Sequence, residues 1–195
     1  MAVSFQCGDH DAVRLRAVEA PDEELMLAYG RGDEAAFGTL YARHKGPLYR
    51  FVVRGLRDGA VAEELYQEIW MRVIEARGRY RAQAKFATWL YTIAQNRLAD
   101  HWRKRGLKLV DVQDADAPGP PADEPAARVE GRQQVERFAA ALAALPEAQR
   151  AAFLLHEEGG LGVAEIAAAT GVGAETAKSR LRYALAKLRE ALADG

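Results

Sequence analysis

The chain has 195 residues, 49% apolar and 28% charged, with a formal net charge of −1. That length and balance suit one or two small soluble globular domains, and the near-neutral charge excludes a uniformly basic nucleic-acid coat, so any affinity for phosphate must come from local clusters. Its one cysteine, Cys7, excludes an intramolecular disulfide framework and a Cys-rich zinc site and fits a reducing cytosol.

Residues 1–21 read as a polar N-terminal tail without the charged start and apolar stretch of a signal peptide, and no run of some twenty apolar residues follows anywhere. From Asp22 to Arg105 the pattern is helical, with fifteen Lys or Arg against eleven Asp or Glu. Asp22 is placed to cap a short helix through Tyr29, and Asp33 a longer one carrying Phe37, Leu40, Leu48 and Phe51. A third helix, from about Ala60 to Ala76, has Leu65, Ile69 and Val73 on its apolar stripe and Glu64, Gln67 and Glu68 facing out.

Between the third and fourth helices lies RGRYRAQAK, in which Arg77, Arg79, Arg81 and Lys85 surround a single aromatic, Tyr80. Cations interleaved with an aromatic suit a single strand, phosphate held by charge and base by stacking. The fourth helix, Lys85 to Arg105, turns Phe86, Leu90 and Ile93 to the core, while Asn96, Arg97, Asp100, His101, Arg103 and Lys104 crowd its second half. Cations at that end also complement the helix dipole, which by itself accounts for Arg103 to Arg105.

Residues 106–127 break the pattern: Leu109 to Ala127 holds four prolines, five acids and no base. Such a composition cannot bury enough apolar surface to offset its ordering entropy and reads as a flexible acidic connector. Residues 128–195 are helical again, with Phe138, Leu142, Leu145, Phe153 and Leu154 as core candidates. No period-two apolar run bounded by hairpin turns occurs, so the fold class expected is all-α: a four-helix domain and a helix-turn-helix domain joined by the connector.

The helix-turn-helix reading rests on Gly162 to Glu190. Val163, Ile166 and Ala167 form a short apolar face, Gly171 suits a left-handed cap, and Ala177, Leu181, Ala184 and Leu188 recur at three- and four-residue steps. Five cations and no acid lie between Lys178 and Arg189. In such a motif the N-terminal part of the second helix reaches base edges, which points to Glu175, Thr176, Lys178, Ser179, Arg180 and Arg182. A basic outer face on an amphipathic helix is also what a solvated surface looks like.

Three segments in order, ELYQEIWMRV, FATWLYTIAQNRLADHWRKR and LPEAQRAAFLLHEEGGLGVAEIAAATGVGAETAKSRLRYALAKLRE, resemble the sigma-70 family, in its small extracytoplasmic-function group. The resemblance runs from Asp22 to Leu192. It implies a cytoplasmic promoter-specificity subunit of bacterial RNA polymerase that does no covalent chemistry itself. Residues 22–105 would bind core polymerase and read and melt the minus-ten element; residues 128–195 would read the minus-thirty-five element.

Carried over by position, Tyr80 and Asn96 would lie near a flipped-out promoter base, with Arg97, Asp100, His101, Arg103 and Lys104 along the strand and Arg81 among the other minus-ten contacts. Glu64, Gln67 and Glu68 would anchor the clamp coiled coil of the polymerase largest subunit, the second domain would receive the flap tip, and an anti-sigma factor would hold the chain inactive. Gly162 and Gly173 stand where relatives commonly carry a Ser or Thr cap, a change that costs only a few tenths of a kcal/mol.

No metal or cofactor is implied, since the four histidines are dispersed and no glycine-rich phosphate loop is present. Two other readings are compatible with the residues alone. A stand-alone regulator would bind operator DNA as a dimer without polymerase, and a sigma mimic would sequester a partner without opening promoters.

Overall fold

The computed structural model describes residues 20–56, 58–108 and 126–193, the side chains of 105–108 and 126–132 excepted. Among these residues there are eight helices and no strand. They are α1 (Asp22–Gly30), α2 (Glu34–Gly55), α3 (Gly59–Ala76), α4 (Phe86–Lys108), α5 (Ala126–Ala144), α6 (Glu147–Glu157), α7 (Val163–Thr170) and α8 (Ala174–Ala193). Residues 1–19 of the expected tail and 109–125 of the expected connector lie outside the described residues. Helices α4 and α5 run past both edges expected for that connector, to Lys108 and from Ala126.

Helices α1 to α4 form the N-terminal bundle. The Asp33 carboxylate accepts the backbone N–H of Ala35 and Ala36 at 3.0 and 3.1 Å, closing the start of α2. Asp58 does the same for α3 through Ala60. Asp22, expected as a cap, is instead the first residue of α1, after Pro21 with φ −58°. Pro21 at the N-cap has no side-chain acceptor, so α1 starts without a side-chain cap, and the Asp22 carboxylate instead meets Arg43 at 2.5 Å and His44 at 2.6 Å on α2. Glu23 reaches further and accepts the Phe86 backbone N–H at the start of α4. Inside, Met26, Leu40, Leu48, Phe51, Ile69 and Leu90 are fully enclosed.

Helices α5 to α8 form the C-terminal bundle around Leu142, Leu154, Leu155, Leu161, Ile166 and Ala177. Between α7 and α8 Gly171 has φ +66°, a left-handed conformation that favours glycine, and the Val172 N–H reaches back to the Ala167 carbonyl at 3.1 Å. This six-residue closure satisfies the end of α7 and turns the chain sharply into α8. The start of α7 has no side-chain cap because Gly162 has no side chain; Glu165 supplies the reciprocal bond, accepting the Gly162 N–H at 2.8 Å. No helix of the described residues is long and apolar enough to cross a membrane.

Candidate nucleic-acid interface

The turn at Gly171 and the stripe Ala177, Leu181, Ala184 and Leu188, all buried, fix which side of α8 faces out. Glu175, Thr176, Lys178 and Arg182 are exposed along its first turns; Ser179 and Arg180 are half-buried on the flanks. Lys178 stays 4.0 Å from Glu175, and the Arg182 guanidinium lies 5.1 Å above the Tyr183 ring, whose outer face is open. The outward side therefore presents hydroxyl, ammonium and guanidinium donors with one acid at the leading end. Such a row can meet phosphates and base edges together.

On the N-terminal bundle a groove of about 380 Å³ runs between the end of α3 and the middle of α4. Trp89 and Ile93 give it an apolar wall, Arg72 and Arg79 add cations, and Asn96 and Asp100 supply amide and carboxylate. Asn96 is exposed, Lys104 is exposed, and Arg103 pairs with Asp100 at 3.0 Å. His101 is half-buried, edge-on to Trp102. Arg97 is drawn into ion pairs with Glu68 at 2.7 Å and Asp100 at 3.4 Å.

Tyr80 departs from the sequence expectation. An aromatic among cations reads as an exposed stacking platform, yet its ring is buried, 5.0 Å from Trp89 and 6.2 Å from Phe86, both edge-on. The first turn of α4 brings those two rings back over the loop and closes the face a base would need. Burial, then the carboxylates of Glu23 and Asp22, pushes the Tyr80 phenol up to about 12, and its hydroxyl has no hydrogen-bond partner. The adjacent Arg81 remains exposed, with its guanidinium on the Tyr80 carbonyl at 2.9 Å.

A second groove, of about 460 Å³, lies alongside on the outer face of α3, lined by Glu64, Gln67, Glu68, Met71, Arg72, Glu75 and Arg97. Carboxylates rim it and Met71 is exposed within it. That chemistry suits a basic partner better than a polyanion.

Two family models match the two bundles, "Sigma-70 region 2" over residues 40–107 and "Sigma-70, region 4" over residues 136–188. The RNA polymerase sigma factor CarQ of Myxococcus xanthus is 33% identical over 176 residues, 87% of this chain and 96% of that protein. The chain belongs to the sigma-70 family. Its group is the extracytoplasmic-function one, to which SigM of Mycobacterium tuberculosis also belongs, 33% identical over 89% of this chain and 86% of that protein. Among solved structures, the sigma factor RpoE of Bartonella quintana, in complex with the anti-sigma factor NepR, superposes with a TM-score of 0.66 at 26% identity, covering 80% of this chain and 96% of that one.

As a sigma factor the chain recognises promoters and initiates transcription with RNA polymerase, and its two bundles are closed against each other in this structure. Glu158, just after α6, inserts its side chain between the bundles, where it accepts from Arg50 at 2.8 Å and from Arg54 of α2. The Tyr91 hydroxyl of α4 donates to the Glu158 carbonyl at 2.6 Å. Burial, opposed in part by Arg50, pushes that phenol far above its ordinary range. Glu165 accepts from Thr88 at 2.9 Å and pairs with Lys85 at 3.3 Å while keeping its cap on Gly162; that backbone bond, above all, holds its carboxyl below the ordinary range. Arg150 stacks over Trp102 at 5.5 Å, and Arg54 lies over Phe138 at 5.8 Å.

None of Arg50, Arg54, Tyr91, Thr88, Glu158 or Glu165 stands out in the sequence as an interbundle residue. Each pairs with a partner 67 to 108 positions away, and no local spacing marks such a pair.

Proposed function

We propose that promoter recognition is divided between the two exposed faces: α4 and its preceding loop take the minus-ten element in residues 22–105, and the outer side of α8 takes the minus-thirty-five element in residues 128–195. The observation that carries this reading is the groove beside Asn96. It is large enough for one extruded base, apolar on the Trp89 and Ile93 side and cationic at Arg72 and Arg79. Asn96 offers a carboxamide to a base edge; Arg81, Arg97, Asp100, His101, Arg103 and Lys104 lie along the strand, with Asp100 holding Arg103 at 3.0 Å. Tyr80 acts from beneath by supporting Trp89. On α8, Thr176, Lys178, Ser179, Arg180 and Arg182 enter the major groove behind Glu175.

Glu64, Gln67 and Glu68 anchor the clamp coiled coil of the largest polymerase subunit, and the C-terminal bundle receives the flap tip. The chain works in the cytoplasm, where polymerase is, and performs no covalent chemistry. The two promoter elements are named about 25 base pairs apart, roughly 85 Å of duplex at about 3.4 Å per pair. A closed chain of this length is only about 40 Å across, so the bundles separate on the enzyme. Like RpoE of Bartonella quintana, found in complex with NepR, this chain is controlled by an anti-sigma factor.

Reconstitution with core polymerase on a genomic promoter library tests the reading. Run-off transcripts should start at a defined subset of promoters, and Asn96→Ala should depress permanganate-detected strand opening more than it depresses closed-complex formation. Failure of the purified chain to direct core polymerase to any promoter would refute it.

A further inference from the structure

Arg72, Glu75 and Arg97 line both the acidic groove on α3 and the groove beside Asn96. Of the three, Arg97 carries hydrogen bonds to both sides. Its Nε and Nη2 donate to Glu68 at 3.2 and 2.7 Å, and its Nη1 donates to Asp100 at 3.4 Å. The Arg97 side chain is only 19% exposed, whereas the Glu68 side chain it holds is 41% exposed.

A guanidinium keeps its charge at any working pH and has a fixed fork of donors, so bonds given to two carboxylates are withheld from a phosphate or a base edge. Glu68 is open to a cation on a docking partner. A second positive charge at the same carboxylate repels Arg97 and competes for its oxygens. Asp100 cannot compensate fully, because Arg103 also occupies it at 3.0 Å. A half-exposed ion pair is weak enough to be exchanged for an intermolecular one.

We infer that the Glu68–Arg97–Asp100 bridge couples the two grooves: a cationic polymerase surface that engages Glu68 releases Arg97 to the DNA strand in the neighbouring groove. The inference rests on the proposed assignment of the α3 face to polymerase and the α4 face to the minus-ten strand. Coupling is reciprocal, so a strand that takes Arg97 also frees Glu68 for docking. Arg97 is thereby a positioning residue in the free chain and a strand contact in the holoenzyme.

The test uses the full chain, free and as holoenzyme, with a labelled single-stranded oligonucleotide carrying the minus-ten non-template sequence, read by anisotropy at fixed ionic strength. Glu68→Gln should tighten oligonucleotide binding by the free chain about three- to five-fold, the range one partly exposed pair supports. Glu64→Gln, which removes an equal charge from the same face, should give less than about half that gain if general electrostatics is minor. The double variant Glu68→Gln/Arg97→Gln should bind no better than Arg97→Gln alone. No gain from Glu68→Gln, an equal gain from Glu64→Gln, or a gain that survives loss of Arg97 would overturn the bridge. Failure of wild-type holoenzyme to bind the oligonucleotide would instead overturn the groove assignment itself.

Discussion

Replacing Glu158 by glutamine keeps its shape but removes the charge that holds Arg50 and Arg54 across the bundle interface. The Glu158 side chain is only 4% exposed, while the arginines are 51% and 41% exposed. Charge-assisted bonds contribute about 1.5 to 3 kcal/mol and neutral ones about 0.5 to 1.5, so two weakened bonds come to about 2 to 3 kcal/mol before solvent screening. Screening of the half-exposed guanidinium ends reduces this to about 1 to 2 kcal/mol. The population with bundles apart should then rise about five- to thirty-fold. Tyr91→Phe removes the 2.6 Å bond to the Glu158 carbonyl and should add about 1 kcal/mol. The measurement is energy transfer between dyes on Glu34→Cys and Glu190→Cys, both exposed, in a Cys7→Ser background. Transfer should fall in both variants, and raising salt should open the wild-type chain more than the Glu158→Gln one. Unchanged transfer in both variants, or a fall that merely tracks lost helical circular dichroism, would refute the reasoning.

Three further outcomes follow from single residues. Arg180→Gln and Arg182→Gln should each weaken minus-thirty-five duplex binding by the holoenzyme and lower the salt slope by about one, measured as affinity against salt concentration. The His44 imidazole, above all, and the Arg43 guanidinium hold the Asp22 carboxyl below its ordinary 3.8 despite partial burial. Its stabilisation is therefore complete above that value and lost as pH falls through the lower folded pKa, because the unfolded chain takes up the proton first. Asp22→Asn should lower the urea midpoint at neutral pH and converge with wild type in strong acid. At Gly159 an added Cβ would lie 2.6 Å from the Leu155 carbonyl oxygen and 3.2 Å from the Tyr91 ring. Gly159→Ala should thus cost about 1 to 3 kcal/mol in urea unfolding, as overpacking does.

What the residues reveal in advance is what depends on near neighbours. Asp33 is legible as a cap because its acceptors, Ala35 and Ala36, lie two and three positions on. Gly171 is legible because a left-handed turn has few other residues to choose from. The inward stripe of α8 follows from spacing alone. Asp22 looks identical to Asp33 locally; Pro21 and two partners on α2 decide its role. The burial of Tyr80 is hidden for a similar reason, since the rings that enclose it come six and nine positions later, folded back by a turn. Arg97 and Glu68 can be placed on outward faces from periodicity, but their pairing depends on how α3 and α4 cross. The interbundle residues are least legible because an Arg and a Glu 108 positions apart resemble any other solvated charges until the bundles meet.

The stacking of Arg150 on Trp102 gives the chain an intrinsic optical gauge of its own posture. The indole of Trp102 is partly covered by a guanidinium from the opposite bundle, whereas Trp70 and Trp89 take their aromatic neighbours from within the N-terminal bundle. When the bundles part, hydration of that one indole should shift the tryptophan emission to longer wavelength while the other two keep their surroundings. Unlabelled protein opened by salt or by Glu158→Gln can therefore report its own unclasping in real time.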